Sequence, residues 1–224
     1  MNRKIGIIVA MQKEWDSLFA GTDFVGRPFA QWKTKQDVPF VTMVSGIGKV
    51  NAAVTAYRLI REYGCTDIFS FGCAGGVNYN VHVGDVIVGD NYMYYDVNCG
   101  TPNAVGQVQG HPETFVSNYG DWKFLKGFKH GLIATGDTFV DSQLIAESIC
   151  QILHPEHYPL AIDMESAAIA QVCEQWCVGF TSVRVVSDNP LLGEHTYSEF
   201  WTQKNKTISD IFNRLLEEIE QEMP

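Results

Sequence analysis

Residues 161–173 read AIDMESAAIAQVC, and they hold the switch between two structural periods. The run that leads into them, YPLAI at 158–162, is short and apolar, as a buried strand would be. From Glu165 onward the pattern is helical. Ala168, Ile169 and Val172 fall on one face, with Trp176 a turn further on. Glu165 lies one turn before Ala168 and Ile169 on that same face, and Asp163 closes the apolar run. Ionised carboxylates seldom go inside without partners. This pair therefore either caps the helix or holds something.

The same strand-to-helix unit recurs along the chain. Candidate strands are KIGIIVA (4–10), PFVTMVS (39–45), DIFSFGC (67–73), DVIVGDNYMYYD (85–96), GLIATGDTF (131–139), YPLAI and FTSVRVVS (180–187). Candidate helices begin at Gln12, Lys49, Ser142, Glu165 and near Tyr197. The second stops at Gly64, a good C-terminal residue. The last carries Ile208, Ile211, Phe212 and Leu215 on one face. Such alternation predicts an α/β fold: a single-domain, three-layer αβα sandwich over residues 1–224, with a central mixed, largely parallel sheet. Residues 98–129 differ. They are rich in Gly and Pro, lack a steady period and read as a long excursion.

Composition narrows the function classes. The 224 residues are 46% hydrophobic and 19% charged, with a formal net charge of −10. A chain of this length buries roughly 70% of its unfolded surface and needs no disulfide staples. The acidic balance and scattered Lys and Arg argue against nucleic acid or an anionic membrane as partner. Six cysteines form no CxxC pair, which suits reduced core cysteines in a cytoplasmic protein. The N-terminal apolar run is too short for a signal peptide, and no segment approaches a membrane span.

In open α/β sheets, ligands bind beyond the carboxyl ends of the strands. Those ends carry AMQKE with Glu14, SGIGKVN with Ile47, GCAGG at 72–76, TGDTFV with Asp137 and Phe139, DME at 163–165, and SDNP with Asp188. Small residues for close backbone approach, one aromatic and a set of carboxylates describe an acid-rich pocket for a small polar molecule with an apolar ring. Singly, each has a plainer reading. Glu14 could favour a helix N-terminus, Phe139 could be core, and Asp188-Asn189-Pro190 could start a turn. SGIGKVN lacks the spacing of a P-loop. HPEH at 154–157 has metal-like spacing but no nearby third ligand, so no metal is expected. Together, at successive strand ends, the carboxylates point to a site.

KIGIIVAMQKEW, SGIGKVNAA, FGCAGGV, VGDVIVGD, YYDVN, ATGDTFV, DMESAAIAQVC and VRVVSDN resemble the 5′-methylthioadenosine/S-adenosylhomocysteine nucleosidases of the nucleoside phosphorylase superfamily. The resemblance runs from residue 4 to about 200. The pairing of DMESAAIAQVC with VRVVSDN is its most specific part. It implies a nucleoside phosphorylase-like fold and hydrolysis of the N-glycosidic bond of methylthioadenosine, S-adenosylhomocysteine and 5′-deoxyadenosine, with no cofactor. Asp188 would be the acid that protonates adenine at N7, and Glu14 the base that activates water. Glu165 would accept from the ribose hydroxyls, with Met164 packed on the sugar. Asp163 would support the water site, with Arg184 offsetting charge. Phe139 would stack on adenine and the Val140 backbone would read the purine edge. Ala74, Gly75 and Ser187 would border the substrate. Met11, Ile47 and Tyr197 would line a 5′ slot completed by a second subunit, so a homodimer is implied, with the loop around 105–112 donated across it.

Four features depart from the family pattern. Cys73 stands where Ser is frequent, QKE replaces the usual acidic run before the base, and Tyr95 stands where His is common. Residues 190–200 are unlike the family. A phosphorylase of the same fold would need cationic side chains around phosphate. This chain has Ser70 at one such Arg position and only Lys13 in the turn after the first strand. Futalosine-type hydrolysis shares the chemistry with a different 5′ group. A non-catalytic nucleoside-binding protein could dispense with Glu14 or Asp188, and both are present.

Overall fold

A computed structural model describes residues 3–117, 122–153, 157–194, 197–202 and 206–222. Among the described residues nine strands form one sheet: β1 Ile5–Val9, β2 Phe29–Lys33, β3 Pro39–Val44, β4 Asp67–Gly76, β5 Val86–Tyr94, β6 Phe115–Val116, β7 Lys129–Thr135, β8 Ala161–Asp163 and β9 Gly179–Asp188. The helices are α1 Gln12–Leu18, α2 Lys49–Arg61, α3 Gln143–Ile152, α4 Ser166–Gln175, α5 Tyr197–Thr202 and α6 Thr207–Glu222. The strand order is β2-β3-β1-β4-β8-β7-β5-β6, with β9 paired to both β4 and β5.

The sheet is mixed, as expected. β1 runs parallel to β3 and β4, β4 to β9, and β7 to β5 and β8. The β2–β3, β4–β8, β5–β6 and β5–β9 pairs are antiparallel. Because β9 bridges β4 and β5, the strands β4, β8, β7, β5 and β9 close into a ring. Strand–helix alternation alone does not reveal this closure. β2 was also not anticipated. Its pattern of exposed and buried residues is that of an edge strand, entered through Pro28.

β1 is buried along its whole length, as a central strand covered on both faces must be. Ile5, Ile7 and Val9 face one layer, where Trp15 of α1 and Phe19 just after it pack with Ile208, Ile211, Phe212 and Leu215 of α6. Ile8 faces the other, with Ala52, Ala56 and Leu59 of α2 and Ala167, Ala168 and Ile169 of α4. Alanines along that contact let two helices lie close together. α2 ends where the sequence stops it: Gly64 has φ +68° and its N–H donates to the Ile60 carbonyl at 3.1 Å. α3 packs on the ring through Ala146 and Ile149, with Leu153 just past its end.

Candidate active site

A cavity opens among the loops after β1, β3, β7, β8 and β9 and the end of β4. The residues expected from the sequence border it, except Arg184, which lies behind its wall, and Asp137. Ala10, Val77, Thr138, Ile162 and Pro190 also border it. These five are small or apolar wall residues with no chemical signature in a sequence.

Glu14 sits at the third position of α1 and is buried. One carboxylate oxygen accepts from the backbone N–H groups of Ala10 and Met11, each at 2.9 Å, and the other from Cys73 N–H at 3.0 Å. A carboxylate offers about four lone-pair sites. Three backbone donors therefore hold it from one side while it borders the cavity. Burial raises its pKa above the ordinary carboxylate value, against the opposing charge of Arg184 and the three N–H donors. Gly72 makes room for it: a β-carbon there would come within 2.6 Å of the Glu14 carboxylate oxygen.

Asp163 and Glu165 part company. Asp163 accepts from Thr135 Oγ1 at 2.6 Å, from the N–H groups of Glu165 and Ser166, and from the Ser166 hydroxyl. Arg184 adds Nε at 3.0 Å and a terminal nitrogen at 2.9 Å. Asp163 therefore borders the cavity while its oxygens serve its own chain. It anchors the first turn of α4 and neutralises a buried arginine, so its support of a water site is indirect. Arg184 is likewise turned inward, with Ser70 accepting through its carbonyl at 3.1 Å and its hydroxyl at 3.0 Å.

Glu165 holds the N-cap position of α4. Its carboxylate receives one hydrogen bond, from Gly48 N–H at 3.0 Å, and Arg184 stands at 4.0 Å. Burial first, then the charge of Asp163, raise its pKa to about 8. Gly48 has φ +97°, a conformation glycine adopts without strain, and this aims its N–H at Glu165. Asp137, foreseen as one of the strand-end acids, accepts from Lys49 N–H at 2.9 Å and fixes this turn instead of lining the cavity.

Asp188 ends β9 at an irregularity. Up to Val186 the strand pairs residue for residue with β4; then Gly75 faces Asp188 and Ser187 is the extra residue. Such a bulge re-aims side chains. Both Ser187 and Asp188 are buried and border the cavity, and the Ser187 hydroxyl donates to Asp188 Oδ1 at 2.7 Å. The opposite wall is apolar. Phe139 is 51% exposed and meets Tyr197 edge-on at 5.1 Å, while the Tyr197 hydroxyl lies 3.7 Å from Met11 Sδ. Ile47 is 49% exposed. Burial pushes the Cys73 thiol well above its usual range, which keeps it neutral beside Glu14. The Tyr95 hydroxyl donates to the Thr138 carbonyl at 2.9 Å, bracing the loop before Phe139.

No lysine, arginine or histidine borders the cavity among the described residues. No cluster of three or more His, Cys, Asp or Glu suited to a metal occurs among them either. In the HPEH motif, residues 154–156 lie outside the described residues, and His157 pairs with Glu113 at 3.1 Å.

The model of the phosphorylase superfamily matches residues 4–219. A 5′-methylthioadenosine/S-adenosylhomocysteine nucleosidase of Marinomonas sp. (strain MWYL1) is 35% identical over 206 residues, covering 82% of this chain and 85% of that protein. The nucleosidase of that name from S. pneumoniae, solved with a transition-state inhibitor, is 28% identical with a TM-score of 0.79, covering 96% of this chain and 99% of that one. Futalosine hydrolase of Helicobacter pylori has a TM-score of 0.82 with 97% and 99% covered, but at 21% identity this speaks to fold alone. The chain belongs to the phosphorylase superfamily and, within it, to the 5′-methylthioadenosine/S-adenosylhomocysteine nucleosidases.

Proposed function

We propose that this chain hydrolyses the N-glycosidic bond of 5′-methylthioadenosine, S-adenosylhomocysteine and 5′-deoxyadenosine, releasing adenine. The observation that carries this reading is the cavity itself. It brings together Glu14, Glu165 and Asp188, all buried, in a wall with no cation among the described residues. Phosphorolysis needs an anion site. Here the one arginine nearby is consumed by Asp163 and Ser70.

Breaking the bond develops positive charge on the sugar and negative charge on the departing base. Asp188 gives its proton to adenine N7, so the base leaves neutral. Phe139 stacks on adenine while the Val140 backbone reads its edge. Glu14 takes a proton from water as the oxygen attacks the ribosyl cation. Its raised pKa brings it nearer neutrality, where a general base works best. Glu165 accepts from the ribose hydroxyls, and Met164 packs on the sugar. Cys73, Ala74, Gly75 and Ser187 bound the pocket. Asp163 and Arg184 hold its floor.

Met11, Ile47 and Tyr197 line the 5′ slot, which a second subunit completes. Supporting the homodimer, α2 presents Val50, Val54 and Tyr57 outward at 74%, 53% and 47% exposure, beside Trp176 and near the half-exposed Ile47. A stripe of this kind marks an interface. One continuous sheet supports a single nucleosidase domain over residues 1–224. The free cysteines, Cys99 and Cys177 exposed among them, fit a cytoplasmic setting.

Two measurements test the reading. In phosphate-free buffer, methylthioadenosine should yield adenine and a free thioribose. A phosphate requirement with a sugar 1-phosphate product would overturn it. Sedimentation should give a dimer at assay concentration, and a fully active monomer would remove the shared slot.

A further inference from the structure

Beside the cavity stands one cation that the proposed chemistry does not use. The wall is acidic, with Glu14, Asp163, Glu165 and Asp188 all contributing. The nearby cations are spent: Arg184 on Asp163, and Lys49 on Asp96 at 2.7 Å. Lys13 is different. It is exposed, and it has no carboxylate partner among the described residues. Its ammonium instead lies 4.8 Å from the ring centre of Tyr197 and 4.6 Å from that of Trp201. Tyr197 is itself a wall of the cavity on the 5′ side, against Met11 and Phe139. Two ring faces thus hold a positive charge beside Tyr197, outside the lining of the cavity.

A cation held on aromatic faces keeps its charge free for an anion on its open side. The substituents under consideration differ there. A methylthio group is neutral and short. A homocysteinyl group extends several bonds past the sulfur and ends in an α-carboxylate and an ammonium. That tail is zwitterionic: its ammonium can face the wall acids, and its carboxylate is left for a cation outside the lining.

We propose that Lys13 determines specificity for nucleosides whose 5′ substituent ends in a carboxylate, by pairing with that carboxylate at the cavity mouth. This rests on the nucleosidase reading. Lys13 is a recognition residue only and takes no part in bond breaking.

The test is steady-state kinetics of Lys13→Gln and Lys13→Arg with methylthioadenosine and S-adenosylhomocysteine in parallel. Removing a charge-assisted contact should lower kcat/KM for S-adenosylhomocysteine about 5- to 20-fold, through KM, while methylthioadenosine changes less than about twofold. Lys13→Arg should keep most of the preference, and added salt should erode the wild-type preference toward that of Lys13→Gln. Equal losses on both substrates would mean that Lys13 only props Tyr197 and α1, and would overturn the proposal. So would no change on either. Wild-type protein that releases adenine from neither substrate would instead overturn the nucleosidase reading, and this proposal with it.

Discussion

Asp163 and Glu165 are two residues apart, equally buried and chemically alike, yet they stand in different regions of the molecule. Asp163 belongs to a buttress with Thr135, Ser166 and Arg184, where its oxygens are taken by the protein's own donors. Glu165 faces the cavity with a single backbone donor. A buried acceptor left short of donors is costly unless it neutralises or meets a ligand. The number of donors around a buried carboxylate therefore separates an acid that builds the fold from one that awaits a substrate. Glu14 stands between the two: three backbone N–H groups hold its oxygens, yet it borders the cavity.

The contrast is sharpest under substitution. Asp188→Asn keeps shape and hydrogen bonding but cannot deliver a proton. Turnover should fall about 10²- to 10⁴-fold while adenine nucleosides still bind. Kinetics beside ligand titration decide this, and turnover within a few-fold of wild type would take Asp188 out of the mechanism. Asp163→Ala should act on the other axis. It strips Arg184 of its buried partner and should cost about 3–5 kcal/mol of stability in denaturant unfolding. If Asp163→Ala folded as stably as wild type and lost only activity, the buttress and the cavity would be one region and the contrast would collapse.

The same contrast explains what the sequence disclosed. The strand-end carboxylates, the helix starts at Gln12 and Lys49 and the Gly64 stop were legible because each is a local pattern of period, cap or breaker. The division of labour between Asp163 and Glu165 was not, since it depends on Thr135 and Arg184, which lie 28 and 21 residues away from Asp163. Closure of the ring through β9 was hidden for a like reason: one strand's pattern does not say that it has partners on both sides. Asp137 read as a cavity acid because it follows a strand. Only the turn at Gly48 and Lys49 shows that it is occupied. The Ser187 bulge has no sequence signature, yet it aims Asp188.

The smallest expected effect is on pH dependence, and it isolates Glu165. Its pKa stands at about 8 in the folded protein, raised first by burial and then by Asp163. In the unfolded chain it returns to the ordinary value near 4.5. The folded state therefore binds a proton across that interval that the unfolded state has released. Stability from this group is fully present below about pH 4.5 and is lost as pH rises through 8. Glu14 shifts in the same direction. Asp85, held low by Lys129 and the His82 N–H against its own partial burial, acts only on the acid side of this window. Glu165→Gln removes the titration while keeping the shape and the N-cap position of α4. Melting of the ligand-free wild type should thus fall more steeply between pH 5 and 9 than melting of Glu165→Gln. A difference of about 2–4 °C corresponds to 1 kcal/mol in a chain of this size. The variant should also bind adenine nucleosides less tightly, because the amide replaces one carboxyl oxygen with an NH₂ group that can only donate to the ribose hydroxyls. Parallel melting profiles would mean that Glu165 is as well partnered as Asp163, and that the count of donors does not distinguish the two acids.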